Sequence, residues 1–208
     1  MTPRRITIVE VAPRDGLQAE DRTLPTETKI ELLDRLAGAG HAAIEATSFV
    51  SPKAVPQLAD AEAVMGRLAQ RPGVRYLALV PNETGFERAI ACGVKAIAVF
   101  ASASESYSRK NLNRSRDDAI AGYGSVIKRA KDEGLWVRGY LSMVVADPWD
   151  GPTPAEVVVD LCRKLLALGC DELSLGDTIG VGTPGDLVRL IDSLRRAKVP
   201  LETVAFHF

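Results

Sequence analysis

The chain has 208 residues, 46% of them apolar, and its 26 Lys and Arg against 27 Asp and Glu leave a formal net charge of −1. That length suits one domain with a substantial core, and near-neutrality argues against a generic nucleic-acid binder, which carries a marked basic excess. With no run of about 18 apolar residues, an N-terminal stretch that turns polar by Glu10, and neither an even framework nor a C-x-x-C pair among Cys92, Cys162 and Cys170, the composition predicts a cytoplasmic protein with no membrane span and with buried thiols.

Along the chain, apolar runs at residues 5–11, 42–47, 75–80, 95–100, 136–143, 171–175 and 203–208 predict seven strands. Helical spacing lies between them, as in Ile30, Leu33, Leu36 and Ala37, in Val158, Leu161, Cys162, Leu165 and Leu166, and in Leu187, Leu190, Ile191 and Leu194. Ser51-Pro52, Thr153-Pro154 and Thr183-Pro184 each set a hydroxyl before a proline, the pattern of a capped helix start. Gly40, Gly93, Gly134 and Gly169 stand where helices should end in a left-handed residue.

Strand and helix alternate at a spacing usually a little over thirty residues, the length of a βαβ unit. Strands apolar on both faces imply a parallel sheet covered by helices, either open and doubly wound or closed as a barrel. Arg14 and Asp15, Glu45 to Ser48, Asn82, Ser102 to Ser106, Asp177 and His207 all fall at carboxyl ends of strands. Only a barrel brings them to one mouth. The expected fold is therefore α/β, a (β/α)8 TIM barrel incomplete at the C-terminus. It has seven strands and six helices in a single domain over residues 1–208, lacking the last helix-strand-helix.

Five constellations carry candidate chemistry. In Arg14-Asp15-Gly16 the carboxylate suits a hard cation and the guanidinium an oxyanion, although an Asp-Gly turn with an exposed arginine has the same sequence. Glu45 sits in an otherwise buried run and needs a partner, for which Arg14 on the neighbouring strand is the candidate. Gly180-Val181-Gly182-Thr183-Pro184-Gly185 matches G-x-G-x-x-G literally, but its distance from the strand and its proline argue against a dinucleotide site. These glycines are expected to shape a turn that presents Asp177. The stretch from Ser108 to Arg116 carries four basic residues and reads as a loop suited to a ligand phosphate or to plain solvation, with Ser115 able to cap the next helix. His207 shares its strand face with Ala205 and is either a core histidine or a metal ligand at the mouth.

Three segments, Val9 to Gln18, Ser48 to Lys53 and Leu173 to Gly185, closely resemble the motifs of hydroxymethylglutaryl-CoA lyases. The likeness extends through Pro81-Asn82, Lys110 to Asn113 and Val137 to Tyr140, so it covers nearly the whole chain. The resemblance implies a TIM-barrel lyase that uses Mg2+ or Mn2+ to cleave 3-hydroxy-3-methylglutaryl-CoA to acetyl-CoA and acetoacetate. By motif, Asp15 and His207 would ligate the metal, Arg14 would stabilise the enolate of the leaving thioester, and Glu45 and Asp177 would order the site and assist proton transfer. Arg14, Gln18, Ser48, Lys110, Asn111, Ser174 and Thr178 would bind the acyl-CoA substrate. A homodimer is compatible with this reading; a nucleic-acid or membrane partner is not expected.

Two departures qualify the resemblance. The family's second histidine, asparagine and loop cysteine would fall beyond Phe208. Ser142 to Trp149 also replaces a cysteine-containing segment, which bears on acyl preference. A related condensing synthase and a barrel that binds CoA esters without catalysis are the competing expectations.

Overall fold

A computed structural model describes residues 6–208. The chain divides into two compact units, Met1–Ile97 and Ala98–Phe208. The first holds strand β1 (Val9–Glu10), a π-helical turn (Ala12–Gly16), helix α1 (Thr26–Gly38), β2 (Ala43–Ser48), α2 (Ala61–Arg67), β3 (Arg75–Leu79) and α3 (Glu83–Ala91). Strand β4 (Ala96–Ser102) contains the boundary between the units. The second unit continues with α4 (Glu105–Leu112), α5 (Arg116–Ala121), α6 (Gly124–Asp132), β5 (Trp136–Ser142), β6 (Ala146–Asp147), β7 (Gly151–Pro152), α7 (Ala155–Leu168), β8 (Glu172–Gly176), α8 (Pro184–Arg196) and β9 (Val204–His207). Hydrogen-bonded strand order in the main sheet is β1-β2-β3-β4-β5-β8-β9, and β6 and β7 form a separate antiparallel ribbon.

The seven expected strands are those of the main sheet, and β1–β2, β2–β3, β5–β8 and β8–β9 pair in parallel. All six residues of β2 are buried, as in a sheet covered on both faces. The first strand is shorter than the run from residue 5 predicts: Arg5 lies outside the described residues, and Ile6 and Ile8 are exposed ahead of β1. Gly40, Gly93, Gly134 and Gly169 all have positive φ, the conformation expected of residues that end helices.

Several expectations are corrected. Eight α-helices replace six among the described residues, because the connection after β4 breaks into α4, α5 and α6. Asn113 ends α4 at φ 53° and Ser115 caps α5 by accepting from the Asp118 amide, so the basic stretch read as a loop is mostly helix. Ser51-Pro52 begins a turn and no helix; α2 starts only at Ala61. Asp60, its N-cap residue, makes no side-chain cap bond there, its carboxylate being taken by Thr26 Oγ1 and Lys29 Nζ. Thr153 does not cap α7, since its hydroxyl donates to the Met143 carbonyl at 2.7 Å. Thr183 does cap α8, in a reciprocal box with Asp186. The buried stripe of α1 is Lys29, Leu33 and Ala37, displaced from the Ile30 and Leu36 positions. Of the three thiols Cys162 and Cys170 are buried, whereas Cys92 is half-buried.

Candidate active site

In the first unit the motif after β1 winds into the π-helical turn, a rare geometry that recurs at functional sites. It buries Arg14 to 7% exposure, and Arg14 Nε donates to Glu45 Oε2 at 2.8 Å. Glu45 is fully buried in β2 beside a register shift between Glu45 and Thr47, the kind of bulge that re-aims side chains. Arg14 also bonds its neighbour Asp15, whose side chain remains 42% exposed. The guanidinium is thus held between two carboxylates, one buried and one open to solvent. The exposed-arginine alternative is excluded, and the partner expected for Glu45 is the one found. Ser48 closes β2, fully buried, with its Oγ accepting from the Val50 amide at 3.3 Å. Gln18 lies exposed just after the π-helical turn.

In the second unit the loop after β8 folds back on Asp177. The Val181 and Gly182 amides donate to its two carboxylate oxygens at 3.2 and 2.7 Å, and Asp177 is 8% exposed. A Cβ on Gly182 would lie 2.7 Å from Asp177 Oδ2, so any larger residue there would have to displace the carboxylate. That is the turn expected of the G-x-G-x-x-G match. His207 stands opposite Gly176 in the β8–β9 register, and its carbonyl accepts from the Asp177 amide at 3.0 Å. Ser174 shares the Gly176 face of β8 and is opposite Ala205; its Oγ is buried with no hydrogen-bond partner. Thr178 Oγ1 accepts from the Met143 amide at 2.9 Å, tying the loop to the end of β5.

Lys110 and Asn111 belong to α4. Asn111 Nδ2 donates to the Tyr107 carbonyl of its own helix at 3.1 Å, and Lys110 Nζ lies 3.5 Å above the Trp149 ring. Asp147 and Trp149 enter the sequence reading only within the Ser142–Trp149 segment and Asp150 not at all, although Asp-Pro-Trp-Asp-Gly is a turn signal. Sequence reasoning also passed over Lys29, a buried cation paired with Asp60 at 2.6 Å. Burial pushes the Cys162 and Cys170 thiols up to about 12 and raises Cys92 as well. None of the three is suited to act as a nucleophile. Among the described residues no three His, Cys, Asp or Glu side chains gather as a metal cluster, and no helix is long and apolar enough to cross a membrane.

Comparison with known proteins follows the same lines. The profile of the HMGL-like family matches residues 5–208. The chain is 45% identical over 205 residues to the mitochondrial hydroxymethylglutaryl-CoA lyase of Bos taurus, covering 99% of this chain and 63% of that one. A crystal structure of hydroxymethylglutaryl-CoA lyase from Pseudomonas aeruginosa superposes with a TM-score of 0.96 at 47% identity, over 99% of this chain and 68% of that one. An HMG-CoA lyase from Acinetobacter baumannii, solved in complex with coenzyme A and 3-methylmalate, gives a TM-score of 0.90 at 31% identity, over 97% of this chain and 66% of that one. The chain therefore spans about two thirds of the relatives it matches. The fold agreement bears out the expected α/β TIM-barrel class.

Proposed function

Because the chain belongs to the HMGL-like family, we propose that it is a metal-dependent acyl-CoA lyase that cleaves 3-hydroxy-3-methylglutaryl-CoA to acetyl-CoA and acetoacetate. The observation that carries this reading is the Arg14 guanidinium, buried and fixed by Glu45, beside the more open carboxylate of Asp15.

In the cleavage the tertiary hydroxyl loses its proton and the C–O becomes a ketone. The bond between C2 and C3 breaks, and its electron pair passes to the acetyl thioester as an enolate, which is then protonated on carbon. A negative charge thus grows on the thioester oxygen. A cation whose orientation is already set stabilises it without reorganising at the moment of reaction. Arg14 has that role, and Glu45 positions it. Asp177, with both oxygens held by amides, orders the end of β8 and assists proton transfer. Gln18, Ser48, Lys110, Asn111, Ser174 and Thr178 bind the substrate; the buried, unpartnered Ser174 Oγ supports a ligand contact on that face.

The metal assignment rests on donor chemistry. Asp15 would offer a carboxylate oxygen accessible to solvent and His207 an imidazole nitrogen, donor types that suit Mg2+ or Mn2+. A bound divalent ion supplies Lewis acidity that lowers the pKa of the substrate hydroxyl. A cytoplasmic location and a homodimer remain part of the proposal.

Incubation with 3-hydroxy-3-methylglutaryl-CoA and Mg2+ or Mn2+ should release acetyl-CoA and acetoacetate in equal amounts, and EDTA should stop the release. Tight binding of the ester without EDTA-sensitive products would favour the non-catalytic reading, and condensation of an acyl-CoA with a keto acid would favour the synthase.

A further inference from the structure

The bulge in β2 decides which way Ser48 faces. Glu45 stands opposite Leu77 and Ser48 opposite Leu79, with the register shift between Glu45 and Thr47. Leu77 and Leu79 are two positions apart on β3 and share a face, so Ser48 joins Glu45 on one face of β2. Unbroken alternation over three positions would have sent the two to opposite faces. The peptide between Phe49 and Val50 follows directly. Its N–H donates to Ser48 Oγ at 3.3 Å, and its carbonyl accepts from Arg88 Nη1 at 3.2 Å. The same nitrogen donates to the Val50 carbonyl at 3.2 Å. In a planar trans peptide N–H and C=O point in opposite directions, so fixing one fixes the other. Arg88 is itself braced. It lies in α3 three residues after Gly85, where a Cβ would stand 2.8 Å from the Phe49 carbonyl oxygen, so helix and loop touch backbone to backbone. Arg88 Nε donates to Glu62 Oε1 of α2 at 2.5 Å, and its guanidinium carbon lies 5.5 Å from the centroid of the Phe49 ring.

A surface ion pair with Glu62 alone would contribute little, whereas charged donors to two carbonyls hold a backbone in one orientation. We infer that Arg88 is a positioning residue for substrate binding: it orients the Phe49–Val50 peptide so that Ser48 Oγ accepts from the Val50 amide and keeps its own proton for the ligand. A serine hydroxyl has one proton to give and two lone pairs. With a lone pair engaged by the amide, the proton is left for an acceptor on the face that Ser48 shares with Glu45, an oxygen of the acyl group. This rests on the acyl-CoA reading above and adds to it a helix residue that touches no substrate and acts through Ser48.

The test is a double-mutant cycle with Ser48, read as KM and kcat for 3-hydroxy-3-methylglutaryl-CoA in the presence of Mg2+ or Mn2+. Arg88→Met keeps the apolar stem against Phe49 and removes the donors, and Arg88→Lys restores a charged donor. Arg88→Met should raise KM about fivefold with kcat within about twofold of the parent, the mark of lost binding, and Arg88→Lys should recover most of the loss. Ser48→Ala should raise KM about tenfold. Arg88→Met added to Ser48→Ala should raise it by less than about twofold more, because its effect passes through the hydroxyl already removed. A merely structural role leaves the two substitutions additive. Arg88→Ala takes the place of Arg88→Met in the cycle if thermal unfolding shows the latter unfolded. KM within about twofold of the parent without the Arg88 donors, or a further rise of about fivefold in the double variant, overturns the positioning role while leaving the acyl-CoA reading in place. A parent that releases no acetyl-CoA overturns both.

Discussion

Arg14 shows how burial turns a common ion pair into a fixed instrument. On the surface such a pair contributes little, because water competes for both partners. At 7% exposure, with Glu45 fully buried, removal of either partner strands a charge in a poorly solvated place. Glu45→Ala should therefore destabilise the protein by about 3 kcal/mol and lower its melting temperature, read by thermal unfolding. The two buried thiols make a second prediction. Cys162 and Cys170 ionise near 12 when folded against 9.0 as the ordinary value, so between those limits the unfolded chain holds fewer protons than the folded one. Stability should then fall as pH rises above about 9, by about 1.4 kcal/mol per pH unit for each thiol. Replacement of both by alanine should flatten that slope in urea titrations from pH 8 to 11, whatever the cavities cost. An unchanged slope would contradict their burial.

At the scale of elements, legibility followed periodicity. The main strands were visible because burial on both faces writes a continuous apolar run, as in Ala96 to Ser102. The β6–β7 ribbon was not, since two-residue strands have no period and their turn is held by Asp147 and Asp150, the latter acting on residues over forty positions earlier. A hydroxyl before proline predicts a capped start at Ser51, Thr153 and Thr183 alike, yet of these three Thr183 alone caps a helix. Thr153 was drawn off by the Met143 carbonyl, a competition that spacing alone does not reveal. The Arg14–Glu45 pair was legible because a carboxylate in a buried run must find a cation. Thr183→Ala should cost about 1 kcal/mol in stability, measured by urea unfolding, through loss of the amide bond at the start of α8. The bonds from the Thr183 side chain and amide hold the Asp186 carboxyl below its ordinary 3.8. The contribution of that box is thus complete above this value and is lost as pH falls through the lower folded one.

For the whole molecule, a net charge of −1 conceals how the charges are placed. Four basic residues between Arg109 and Arg116 are partly neutralised by Glu105, which pairs with Arg109 at 2.7 Å and Arg116 at 3.4 Å, while Lys110 rests on an indole. The parallel sheet sets the motif residues at strand ends, and family membership supplies the chemistry they are proposed to perform. That chemistry depends most on Arg14. The decisive measurement is the initial rate of acetyl-CoA release from 3-hydroxy-3-methylglutaryl-CoA by the parent and by Arg14→Gln, at saturating substrate and Mg2+ or Mn2+. Loss of a preorganised oxyanion donor predicts a fall of about a hundredfold or more, or about 3–4 kcal/mol of barrier. Turnover by Arg14→Gln within threefold of the parent would contradict the account.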